Sequence, residues 1–111
     1  MTTFTLKAGK TNLIKLVYKD AAGNIIDLTG ASARLVARQD YYKDPVLTKA
    51  ALVTGAVGQI LFKLNPADTA NILTDKTEDD FVVDVELTVA NGDVFDLFTD
   101  AKLILKQSAV R

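Results

Sequence analysis

Apolar and polar residues alternate with a period of two along most of this chain. From Thr11 to Lys19, Ile14, Leu16 and Tyr18 fall on one face while Lys15 and Lys19 fall on the other, as a half-buried strand requires. The DAAGN run that follows is a turn. After Ile25 and Ile26, Asp27-Leu28-Thr29-Gly30 turns the chain again, because an Asp side chain bonds nearby backbone amides and Gly adopts positive φ without strain. A second strand runs from Ala31 to Arg38, with Ala33, Leu35 and Ala37 on one face and Ser32, Arg34 and Arg38 on the other.

Pro45 to Ala51 reads as a short edge strand, since proline lacks the amide proton a central ladder would use. Gly58 to Leu64 points Ile60, Phe62 and Leu64 inward and Gln59 and Lys63 outward. The period then changes: in NPADTANIL, Asn65 is an N-cap, Pro66 takes the first helical position and Asp68 sits near the positive helix end, which predicts one or two helical turns. Phe81 to Val89 alternates most strongly, and Asn91-Gly92 signals a hairpin into Val94–Phe98. A two-residue loop there would bring Asp96 to the core face opposite Leu87, whereas the loop Ala90-Asn91-Gly92 brings Phe95 and Leu97 there, so the longer loop is expected, with Gly92 left-handed. A last strand covers Ala101 to Lys106 and leaves a short polar tail.

About seven short strands with one brief connecting helix predict an all-β fold, an antiparallel two-sheet sandwich of immunoglobulin-like architecture, with a small closed barrel as the alternative. The expected core is Ile14, Leu16, Leu35, Ile60, Phe62, Val83, Val85, Leu87, Phe95 and Leu97. The strands at 31–38 and 81–89 are expected to be neighbours, with Arg34 and Arg38 near Asp84 and Glu86.

Composition sharpens this picture. At 111 residues the chain is one domain, residues 1–111, able to bury about two thirds of its unfolded surface. It has no cysteine, so packing rather than disulfides or thiolate-bound metal must stabilise it. Thirteen basic residues against 14 acidic leave a net charge of -1, which argues against nucleic acid or an anionic membrane as partner. Neither a signal-peptide core nor an apolar run of membrane-spanning length is present in the sequence, and a soluble protein made in a cytoplasm is expected.

The catalytic inventory is thin. Without histidine or cysteine the commonest general base and thiol nucleophile are missing, so no catalytic residues and no enzyme are expected. Asp84 and Glu86 read as a solvated ion-pair face. Asp75, Glu78, Asp79 and Asp80 read as acids of a polar loop whose spacing matches no EF-hand, and neither metal nor cofactor is expected. Two features mark candidate contact surfaces. Tyr41 and Tyr42 place aromatic area beside charges in QDYYKDP, with the alternative that one ring folds back as a cap. Val36, Val94 and Phe98 are placed by register on the outer face of one sheet as an apolar strip.

The runs DxxGNxxDLTGAxARLxxR at Asp20–Arg38, GQILFKL at Gly58–Leu64, NPADTANI at Asn65–Ile72 and VVDVELTVANGDVFDL at Val82–Leu97 resemble small immunoglobulin-like proteins of tailed bacteriophages. They look like the N-terminal domain of phage baseplate upper proteins. The resemblance implies a non-enzymatic virion protein, assembled in the host cytoplasm, that docks to other virion proteins of the tail, baseplate or fibre. It also implies a homo-oligomer or repeated copies in a symmetric particle. With no fibre or receptor-binding region before Arg111, an adaptor is expected; the alternatives are a capsid decoration subunit and a carbohydrate-binding sandwich, the latter resting on Tyr41, Tyr42 and Phe98 in the absence of tryptophan.

Overall fold

A computed structural model describes residues 2–73, 76–98 and 100–108. Its strands are β1 (Thr2–Ala8), β2 (Asn12–Val17), β3 (Ser32–Arg38), β4 (Pro45–Ala50), β5 (Leu52–Thr54), β6 (Gln59–Leu64), β7 (Glu78–Thr88), β8 (Val94–Asp96) and β9 (Ala101–Gln107). They form two packed sheets, a β-sandwich that is open rather than a barrel. The larger sheet runs β1-β9-β7-β3-β4, with β8 also paired to β7, and the smaller runs β2-β6-β5.

Alternation puts one face of each strand inside. Ala33, Leu35 and Ala37 of β3, Ile60, Phe62 and Leu64 of β6, and Phe81, Val83, Val85 and Leu87 of β7 are all buried. Leu103 and Leu105 of β9 join them, and Leu6 comes from β1. β4 is an edge strand, as Pro45 at its start demands. It continues directly into β5, so one stretch of chain leaves the larger sheet at Ala51, whose amide still bonds the Ala33 carbonyl, and enters the smaller one.

Local signals set the connections. Asp20 accepts hydrogen bonds from the Ala22 and Asn24 amides, and Asp27 from the amide and hydroxyl of Thr29. The helix α1 (Pro66–Thr69) starts with a capping box in which Asp68 accepts the Asn65 amide at 2.6 Å, and Asp68 also pairs with Lys49 at 2.9 Å. The Lys49 ammonium, then the Asn65 amide, hold the Asp68 carboxyl below the usual carboxylate range. Val89 bonds Asp93 across the hairpin and Leu87 lies opposite Phe95, so the loop is the three residues Ala90-Asn91-Gly92, with Gly92 at φ 94°.

Five expectations change. Among the described residues there are nine strands rather than about seven, and the sheet is not wholly antiparallel: β1, which the alternation does not predict, lies parallel to β9 from Thr2↔Ala101 to Ala8↔Gln107. From Glu78 onward the acid run is strand rather than loop, because β7 begins there, where Lys106 of β9 pairs with Glu78 at 3.5 Å and Lys102 with Asp80 at 3.1 Å. Phe95 takes the core-facing side of β8 but remains 47% exposed, since β8 is a three-residue strand that, among the described residues, pairs only with β7. Leu16 and Leu97 pack against the core only partly buried.

Candidate functional site

The outer face of the larger sheet carries a groove of about 310 Å³ lined by Arg34, Val36 and Arg38 of β3, Val82, Val83, Asp84 and Glu86 of β7, Asp96 of β8 and Tyr41 from the β3–β4 loop. Cross-strand register builds it: Arg34, Glu86 and Asp96 form one row, Val36 lies beside Asp84, and Arg38 beside Val82. A neighbouring recess of about 320 Å³ shares Tyr41, Val83, Asp84 and Asp96 and adds Phe98 and Ala101. Asp84 and Asp96 therefore sit where the two meet, beneath Tyr41.

The loop conformation sets the tyrosines. Asp40 accepts the Tyr42 amide at 2.8 Å, the Lys43 amide bonds the Asp40 carbonyl, and the Arg38 guanidinium donates to the Lys43 carbonyl at 2.7 Å. Tyr41 is brought to the groove, while Tyr42 is 98% exposed and lines neither recess.

Electrostatics distinguish the carboxylates. Glu86 pairs with Arg34 at 3.3 Å, as expected across neighbouring strands. The companion pair does not form, because Arg38 is taken up by the Lys43 carbonyl and Asp84 accepts the amides of Val85 at 2.7 Å and Phe98 at 3.3 Å. Asp84 is half-buried rather than solvated. Burial lifts its carboxyl above the usual range, the Asp96 carboxylate adds to the rise, and the two amide hydrogen bonds oppose it. The arrangement offers hydrogen-bond acceptors, an aromatic ring and an apolar wall provided by Val36 and Val82.

Of the five candidate surface residues, the structure brings Val36, Tyr41 and Phe98 around Asp84 and leaves Tyr42 and Val94 apart. Val94 is exposed opposite Thr88, so the strip is not continuous. Phe98 is not on an outer face. Its ring meets Phe4 edge-on at 5.6 Å and packs against the core, because the chain bends at Leu97, directly after β8. The capping alternative for a tyrosine is not what the loop adopts, since both rings are exposed.

Of the candidate calcium acids, Asp75 lies outside the described residues. Asp79 is bonded by Gln39 at 3.0 Å and Lys76 at 3.2 Å. Burial works to raise its carboxyl, but hydrogen bonds from Gln39, the Asp80 amide and Lys76 hold it below the usual range. Among the described residues no three carboxylates are grouped to hold a metal ion, and no helix is long and apolar enough to cross a membrane.

Reading charge pattern alone overlooks Asp96, which becomes a neighbour of Asp84 only through the hairpin. It also overlooks the outer face of the smaller sheet, where Leu13, Val17 and Leu52 are exposed. The signal for Leu13 and Val17 is present in the alternation, for they share the face of Lys15. No known protein family matches the chain, and no curated protein shows significant similarity to it.

Proposed function

We propose that the protein is a non-enzymatic structural protein of a tailed-bacteriophage virion, of immunoglobulin-like type, serving as a tail, baseplate or fibre-attachment adaptor through protein contacts. The phage assignment is supported by the resemblance of the runs at 20–38, 58–72 and 82–97. The contact role is supported chiefly by the open groove at Val36, Tyr41 and Asp84, which combines an aromatic ring, apolar walls and already-paired charges, the composition of an interface. The interior supports it too: Leu35, Ile60, Phe62, Leu64, Val85 and Leu105 are fully buried, so chemistry or recognition takes place on the outside.

The test is the double variant Val36→Asp with Tyr41→Ala. It is expected to melt like the parent and to lose co-assembly with tail or baseplate proteins expressed from the neighbouring genes. Unchanged incorporation by a folded variant would remove the groove from the assembly contacts. One observation favours a second reading, a carbohydrate-binding module: Tyr41 lines the same groove as the carboxylates of Asp84, Glu86 and Asp96, which suits stacking and hydrogen bonding of a sugar. Binding on a glycan array that is lost with Tyr41→Ala alone would select that reading.

A further inference from the structure

Among the described residues the smaller sheet ends in an unused edge. Among the described residues β2 pairs only with β6, with Asn12 opposite Leu64 through Val17 opposite Gln59. The Tyr18 amide bonds the Gly58 carbonyl in that register. Antiparallel ladders alternate, so Leu16, Ile14 and Asn12 also direct their backbone groups to β6, while those of Leu13, Lys15 and Val17 point to the open side. An unpaired row of this kind is a template for another strand.

The side chains along that edge specify what fits. Leu13 (64% exposed) and Val17 (43%) flank Lys15 on the outer face. Lys63 stands opposite Leu13, and Leu61, beside Lys15, is followed by Leu52, which is 68% exposed. The face carries two lysines and no acid. Beside the same strand, a recess of about 230 Å³ is lined by Leu16, Val17, Tyr18 and Lys19, by Ile60 beneath, and by Leu97 and Phe98 across from them. A strand laid against β2 would put its alternate side chains into this recess and its remaining ones beside Leu13, Lys15 and Val17.

A second copy of this chain is a poor occupant. The antiparallel self-pairing that overlaps the edge most fully sets Lys15 directly opposite its own counterpart, and like charges in that position destabilise. We propose that the β2 edge is a strand-addition site for an extended segment of a different protein, one that sets an acidic residue between two apolar ones against Lys15 and an apolar side chain in the Leu16–Phe98 recess. Main-chain hydrogen bonds supply the attachment, while the lysines and the recess select the sequence. The inference rests on the reading of the protein as a contact module and names a surface separate from the Tyr41 groove.

The test uses the full chain and a synthetic peptide that pairs antiparallel to β2, Val-Leu-Glu-Thr-Val between Gly-Ser flanks, so that Glu lies opposite Lys15 and Leu opposite Leu16, with a second peptide carrying Lys in place of Glu. Amide exchange and titration are followed by NMR. The first peptide is expected to slow exchange at Leu13, Lys15 and Val17 and not at Ile14 or Leu16, and to bind about fivefold more tightly than the second. Lys15→Glu should invert that order. N-methylation of the probe at its glutamate, which leaves the protein untouched, should abolish protection.

Three results would each overturn the proposal: no protection at the three amides, an order of affinities that Lys15→Glu leaves unchanged, or concentration-dependent protection without peptide, which assigns the edge to a second copy. Virion incorporation is not a readout here. A peptide that binds while Val36→Asp with Tyr41→Ala still assembles separates this surface from the groove, and a failed peptide leaves the groove experiment intact.

Discussion

Thr69→Val tests how the two sheets are held together at one end. Thr69 closes α1 and is wholly buried, and its hydroxyl oxygen accepts the Gly9 amide at 2.9 Å. Gly9 lies in the corner by which β1 of the larger sheet becomes β2 of the smaller, so this bond fastens the segment after β6 to that corner. Valine keeps the shape and branching of threonine but cannot accept, leaving a partly buried amide unsatisfied at a cost of about 1 to 3 kcal/mol. A buried methyl in place of the hydroxyl returns about 0.8 kcal/mol. The net loss is then about 1 kcal/mol, or roughly 4 °C in Tm for a domain of this size. Urea unfolding followed by circular dichroism measures the loss, and hydrogen exchange at the Gly9 amide locates it. Thr69→Ser, which retains the acceptor, should leave Gly9 exchange near that of the parent although it loses a methyl contact. A valine variant as stable as the parent, with Gly9 exchange unchanged, would refute the reasoning and assign the corner to packing alone.

Other substitutions test separate links. A side chain at Gly55 would place its Cβ 2.5 Å from the Thr29 backbone, so Gly55→Ala should cost about 1 to 3 kcal/mol in chemical denaturation although it lowers the entropy of the unfolded chain. Because the Asp84 carboxyl is raised in the folded state, the native protein binds more protons than the unfolded one just above the ordinary aspartate value of 3.8, and this group's contribution makes stability fall as pH rises through that window. Asp84→Asn should flatten that part of the stability–pH curve; an unaltered curve would contradict the assignment. For Arg34 and Glu86, whose side chains are well exposed, a double-mutant cycle should give less than about 1 kcal/mol of coupling, shrinking in high salt.

Much of the fold is legible in the sequence because the signals are local. Alternation assigns Ile60, Phe62 and Leu64 to one side of β6 and Phe81 through Leu87 to one side of β7, and every one of these residues is buried. The hairpin loop follows from a register argument within one hairpin, and Asn65, Pro66 and Asp68 mark α1 from closely spaced positions. Even the Arg34–Glu86 pair follows once two amphipathic strands are set side by side.

What the sequence does not decide is what lies across from each strand. Period two tells which way a side chain points, not whether it is covered: Phe95 shares the side of buried Leu87 yet stays 47% exposed on a three-residue strand, and Phe98 turns in to meet Phe4 from the far end of the chain. The parallel pairing of β1 with β9 joins the two chain ends and has no turn to announce it. Asp84 reads as a surface charge because its strand alternates cleanly, yet the amides of Val85 and Phe98 and the neighbouring Asp96 give it a half-buried setting that only the assembled sheet creates. The physical reason is range. Alternation, capping and turn chemistry act within a few residues, whereas burial, sheet order and the unpaired edge at Leu13, Lys15 and Val17 depend on which distant segments have been bound and which have not.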